Sequence, residues 1–201
     1  CSESIPDALF SSDPDLVIMI SATLRIDDSF AFWENEIGIG SDMRIVLESP
    51  FPLEEQMEIW VVETGLRVTD SGYDEKNCRI IERLIDKNHG KTLVLLSSIR
   101  LLRKVGDHLK GKSREYPVLI QGDLPRNELL MKFRENIDSV LIGSVSFREG
   151  IDVPGESLSQ VIIDRIPFPH PNDPQVQARN EFEGPGAFLT VTLPVAKMYL
   201  R

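Results

Sequence analysis

An α/β domain built on a mainly parallel sheet, with helices on both faces, is the fold class this sequence predicts. Three observations carry it. TLVLL (92–96), PVLI (117–120) and SVLIG (139–143) are short continuous apolar runs of the kind that form strands buried on both sides. Segments of about 10 to 15 residues with apolar positions at helical spacing alternate with them, as βαβ units require. The loop SFREGIDVPG (146–155) then separates SVLIG from a further run, SQVIID (159–164). In such a domain, loops at strand ends offer carboxylates and backbone amides to a phosphate-bearing ligand.

Taken in order, LVIMI (16–20) reads as a buried strand closed by Ser21, Ala22 and Thr23. Asp28 or Ser29 caps a short helix through Phe32, Trp33 and Ile37, which Gly38 and Gly40 end. RIVL (44–47) and MEIWVV (57–62) read as strands on either side of the Pro50 to Pro52 break, and residues 64–72 as a loop. Ile80, Ile81, Leu84 and Ile85 follow helical spacing and lead through Asn88 to Gly90 into TLVLL. Residues 99–110 place Leu101, Leu102, Val105 and Leu109 on one helix face; Pro125 opens another helix, with Leu129, Leu130 and Phe133 turned inward. RIPFPHPNDP (165–174) reads as an ordered loop, and LPVAKMYLR (193–201) as a helix.

Apolar residues at 41% and charged residues at 27% are ordinary for a soluble domain. No apolar run approaches the roughly 18 residues of a membrane span, so no membrane partner is expected. The chain begins at Cys1 without an initiator Met, a basic leader or an apolar leader, which predicts a segment of a longer protein and no signal peptide. Cys1 and Cys78 fit neither a disulfide framework nor a metal quartet and suit a reducing cytoplasm; His89, His108 and His170 lack ligand spacing, so no metal site is expected. A net charge of −10 argues against a surface that binds polyanions nonspecifically. The clusters Arg100, Arg103, Lys104 and Lys110, Lys112, Arg114 read as solvated helix faces.

His89-Gly90-Lys91-Thr92 suggests a P-loop, but Ile85 stands where that motif needs glycine, and GKT leaves a helix to enter a strand, the reverse of the required order. Asp74-Glu75 opens a helix and matches its dipole, rather than closing a strand as a DExH pair would. No glycine-rich dinucleotide fingerprint follows an early strand, which excludes that class of doubly wound enzyme.

Four pieces in order are more specific: ISATL (20–24), GKTLVLLSS (90–98), SVLIGSVSFREGIDVPG (139–155) and SQVIIDRIPFPHPNDP (159–174). Together they resemble motifs III, IV and V, with the trailing strand, of the DinG/XPD (Rad3-related) branch of superfamily 2 ATP-dependent helicases. The family's usual strings are close to SFWEGVD and D-K-L-P-F-P. The resemblance implies a second RecA-like lobe spanning 44–201, a connector at 25–43, and the tail of a first lobe at 1–24. Ser21 and Thr23 resemble motif III, which relays nucleotide state from the Walker B acids to the nucleic-acid track; by themselves they read as strand-end caps.

Ser97 and Ser98 resemble motif IV, with hydroxyls and amides aimed at backbone phosphates. In motif V, Gly150 permits close backbone approach, Asp152 resembles the carboxylate directed at the nucleotide ribose, and Glu149 neighbours it. Ser144 and Ser146 would meet the nucleic acid from the same loop. Gln121 is a further candidate, equally readable as a turn former. Arg148 stands where the family commonly has Trp, and an arginine there can stack on a base or meet a phosphate.

The implied cofactors are ATP and Mg²⁺ in the intact enzyme, with any iron–sulfur cluster upstream of this chain. The implied partners are single-stranded or forked DNA and the first helicase lobe of the same chain. Walker A, Walker B and the motif VI arginines are absent from these residues, so the segment alone is expected not to hydrolyse ATP. The competing reading is a noncatalytic nucleic-acid or protein interaction module that keeps the lobe's fold.

Overall fold

The computed structural model describes residues 15–148, 151, 153 and 155–200. In chain order the elements are α1 (Ala31–Ile37), α2 (Leu53–Gln56), α3 (Tyr73–Lys87), β1 (Thr92–Leu96), α4 (Ile99–Lys110), β2 (Val118–Ile120), α5 (Arg126–Glu135), β3 (Val140–Ser144), β4 (Gln160–Ile163), α6 (Pro174–Glu183) and α7 (Leu193–Tyr199). They fall into two compact units, one from the described residues of Cys1–Trp60 and Pro167–Arg201, the other Val61–Ile166.

Val61–Ile166 holds the sheet, four strands in the order β2-β3-β1-β4. Every pairing is parallel, with Leu93 opposite Leu141 and Val161, and Leu119 also opposite Leu141. Successive side chains of a strand face opposite ways, so TLVLL serves two cores. Val94 and Leu96 join Val140 and Ile142 under α3 and α4, against Ile81, Ile85, Leu102, Val105 and Leu109. Leu93, Leu95 and Leu141 face the other way, against Leu129, Leu130 and Phe133 of α5. The predicted class, a parallel sheet with helices on both faces, is what the chain forms.

The α3–β1 turn explains why GKT is no phosphate loop. His89, Gly90 and Lys91 all have positive φ, and a Cβ on Gly90 would lie 1.8 Å from the Asp138 carbonyl oxygen. Asn88 Nδ2 donates to the Gly90 carbonyl at 2.9 Å, and Thr92 is buried at the start of β1 with its hydroxyl donating to that same carbonyl. The residues are committed to reversing the chain.

The basic clusters are not simply solvated. Asp74 of α3, buried and hydrogen-bonded by Lys104 and Arg100 of α4, has its carboxyl held below the usual range by those two cations. It therefore ties two helices together, beyond the dipole match expected at a helix start. Glu82 accepts from His108 at 2.8 Å and from Lys112 and Arg114 at 2.5 Å. Burial alone would raise its pKa, but these hydrogen bonds outweigh it and bring the carboxyl down to about 2. Burial and the Asp86 carboxylate push the Tyr116 hydroxyl up to about 12, and burial raises the Cys78 thiol, which makes Cys78 a packing residue.

The unit built from the two chain ends is helical. Ser29 Oγ accepts from Ala31 N–H at 3.1 Å as α1 begins, and Gly38 ends that helix in the left-handed region. Arg44 and Ser41 hydrogen-bond Glu34 and bring its carboxyl down to about 2. Asp173 caps α6 by accepting from Gln175 N–H at 2.8 Å. Lys197 of α7 pairs with Asp27 at 2.5 Å, and Arg179 of α6 pairs with Glu36 of α1.

Three predicted strands do not form: LVIMI (16–20), RIVL (44–47) and MEIWVV (57–62) lie outside any strand. Ile20 is 90% and Leu47 87% exposed. An apolar run signals burial, whereas a strand also needs a neighbouring backbone to receive its hydrogen bonds, and among the described residues these three runs pair with none of the four strands. SQVIID does form β4, but as an edge strand with Val161 and Ile163 exposed, not the fully covered strand its composition suggests.

Candidate functional site

Because all four strands are parallel, their C-terminal ends share one edge of the sheet, the edge where α/β domains place ligands. Following the strand order, that edge carries Gln121, then Ser144, then Ser97, then Asp164 and Arg165. Gln121 Oε1 accepts from the Ser144 backbone N–H at 2.6 Å, joining the ends of β2 and β3. Ser144 Oγ and Ser146 Oγ lie 2.7 Å apart.

A one-turn 3₁₀ helix, Val145–Phe147, follows β3 and is closed by Arg148 N–H donating to the Val145 carbonyl at 3.0 Å. It folds Phe147 back over Gly143, where a Cβ would lie 2.9 Å from the Phe147 ring; glycine is what permits that approach. Arg126, at the start of α5, lies with its guanidinium 4.9 Å from the Phe147 ring centre and donates to the Ser146 carbonyl at 3.3 Å. Ile151 and Val153 pack against the α5 core. Glu149, Gly150 and Asp152 lie outside the described residues.

Ser97 and Ser98 follow β1 and open α4. The Ser98 hydroxyl caps α4 by accepting from Leu101 N–H at 3.2 Å. Ser97 is bound to Asp164: its N–H donates to Oδ1 at 2.9 Å and its hydroxyl to Oδ2 at 2.6 Å. Arg165 Nε donates to the Ser97 hydroxyl oxygen at 2.7 Å. Both serine hydroxyls, expected to face phosphates, are thus engaged within the domain. Asp164 and Arg165 were not singled out from sequence, although an acid and a base that close an apolar strand are the available signal; Arg126 carried none beyond its helix start.

Ser21 and Thr23 belong to the helical unit. Their hydroxyls lie 3.1 Å apart, and Thr23 N–H donates to Ser21 Oγ at 3.2 Å. This is a local hydroxyl turn, not the end of a strand. Among the described residues no group of three His, Cys, Asp or Glu side chains is placed to hold a metal, and no helix is long and apolar enough to cross a membrane. Hydroxyls, amides and guanidinium groups along the strand ends suit the binding of an anionic ligand.

Residues 81–199 match the family model described as the helicase C-terminal domain. The chain is 31% identical over 196 residues to the ATP-dependent DNA helicase YoaA of Escherichia coli, covering 96% of this chain and 31% of that protein. It is 32% identical to the 3'-5' exonuclease DinG of Bacillus subtilis, covering 99% of this chain and 23% of that protein. To the ATP-dependent DNA helicase DinG of Photobacterium profundum it is 31% identical, covering 96% and 30%. The chain therefore spans less than a third of the length of these relatives.

Proposed function

The chain belongs to the helicase C-terminal domain family, and from that premise we propose that it is the second motor lobe of a DinG-type ATP-dependent DNA helicase. In the intact protein this lobe couples ATP hydrolysis to movement along single-stranded DNA and to opening of duplex or forked DNA. The observation that carries the reading is the strand-end edge, where the loop after β3 and the start of α4 present polar groups side by side on one rigid sheet. A translocating enzyme needs contacts of this kind, which hold a backbone without reading bases.

Residues 1–24 are assigned to the end of the first lobe, 25–43 to the connector and 44–201 to the second lobe. Ser21 and Thr23 relay nucleotide state; Ser97, Ser98, Gln121, Ser144, Ser146 and Arg148 line the track. The chemistry of Glu149, Gly150 and Asp152 fits a nucleotide, since a carboxylate accepts from ribose hydroxyls and glycine admits close approach. ATP with its Mg²⁺ supplies the driving reaction when bound, and an arginine-bearing motif elsewhere in the protein completes the charge stabilisation. The segment by itself does not turn over ATP.

In the full-length protein, Asp152→Ala is expected to weaken nucleotide binding and to lower DNA-stimulated ATP turnover at least tenfold, measured by nucleotide titration and steady-state phosphate release. Unchanged values for both remove Asp152 from the site. A full-length protein that binds DNA but has no ATP turnover is instead an interaction module.

A further inference from the structure

Most cations of the sheet unit whose contacts are resolved are neutralised by an acid facing them. Arg100 and Lys104 meet Asp74, Lys110 meets Asp123, and Lys112 and Arg114 meet Glu82. Arg165 differs. Its nearest acid, Asp164, has a side chain only 2% exposed, and both carboxylate oxygens already accept from Ser97. Arg165 Nε lies 3.7 Å from that carboxylate, beyond hydrogen-bond reach, and donates to the Ser97 hydroxyl oxygen instead. The guanidinium is therefore oriented through Nε, with its side chain 42% exposed, and among the described residues no hydrogen bond takes Nη1 or Nη2.

The direction of the chain of hydrogen bonds matters. Ser97 has one hydroxyl proton, and Asp164 takes it, so the oxygen is left as an acceptor and cannot also donate to a phosphate. The geometry points to Arg165 as the residue that contacts a nucleic-acid phosphate at this edge, with Asp164 and Ser97 as positioning residues that hold it. A guanidinium fixed at Nε keeps a free pair of N–H donors, the fork that phosphate oxygens accept. The buried carboxylate fixes Ser97 and stays away from the incoming anion. This inference rests on the proposed DNA-binding role and names the group that supplies the contact which sequence reasoning gave to the serine hydroxyl.

The test is salt-dependent binding of fluorescent oligothymidylate to the full-length protein, without nucleotide. Arg165→Gln is expected to lower affinity roughly three- to tenfold and to make the slope of log affinity against log salt shallower by about 0.7, the value of one single-strand phosphate contact. Arg165→Lys retains the slope. Ser97→Ala keeps the charge but removes its anchor, so affinity falls while the slope stays as in wild type, and thermal unfolding checks that each variant is folded. Wild-type binding with a slope and affinity unchanged in Arg165→Gln overturns the inference and leaves the motor-lobe reading standing. A wild-type protein that does not bind the oligonucleotide overturns that reading, and this inference with it.

Discussion

The two units of this chain treat similar sequence differently. TLVLL in Val61–Ile166 is buried along its whole length, between helices on one side and α5 on the other. LVIMI and RIVL in the helical unit are as apolar, yet most of their side chains face solvent in this chain. The difference lies in long-range partners. β1 is flanked by β3 and β4 and covered by helices from both directions, whereas the two exposed runs have no ladder among the described residues. Hydrophobicity proposes a buried strand, and the neighbours decide whether one exists.

The contrast makes energetic demands that can be measured on the chain by urea unfolding. The largest effect belongs to the sheet unit: Phe133, fully buried on the α5 face, should cost about 3–5 kcal/mol when replaced by Ala. A loss below about 1 kcal/mol would mean that the α5 face contributes little and that the two units are alike after all.

A smaller effect concerns Glu82. Its folded pKa of about 2 lies below the ordinary value of 4.5, so its contribution is present above the ordinary value and disappears as pH falls from there towards about 2. The acid loss should be on the order of 1–3 kcal/mol, and Glu82→Gln should flatten the stability profile in that window. A profile as steep in the variant as in wild type assigns the acid sensitivity to other carboxylates. The smallest effects belong to the exposed runs, where Ile20→Ser and Leu47→Ser should each stay within about 0.5 kcal/mol. A cost above about 1 kcal/mol in either would show that these side chains are packed and would erase the contrast.

Much of the sheet unit was legible from sequence, since strand content, helical spacing and turn residues agree over residues 73–164. The helix over 99–110 and the exclusion of a P-loop at GKT also follow from local order alone. Two things were not legible. Strand pairing depends on residues far apart in sequence, which is why 16–20, 44–47 and 57–62 misled. Hydrogen-bond direction depends on which acid lies across a serine: Ser97 and Asp164 are 67 positions apart, and nothing local to Ser97 reveals that its proton is taken. The motif residues Gln121, Ser144 and Ser97 share the strand-end edge, but the motifs could not say which atoms on it remain available.

The α3–β1 turn has a consequence for engineering the protein. Three successive residues with positive φ, backed by Gly90 N–H donating to the Ile85 carbonyl at 3.1 Å, form a hinge with no slack. An epitope, a fluorescent label or a new chain terminus placed between Asn88 and Thr92 would break the reversal that docks α3 beside the sheet. The segment from Thr64 to Gly72, outside any helix or strand and mostly exposed, is the better attachment point for reporters that must leave the sheet unit intact.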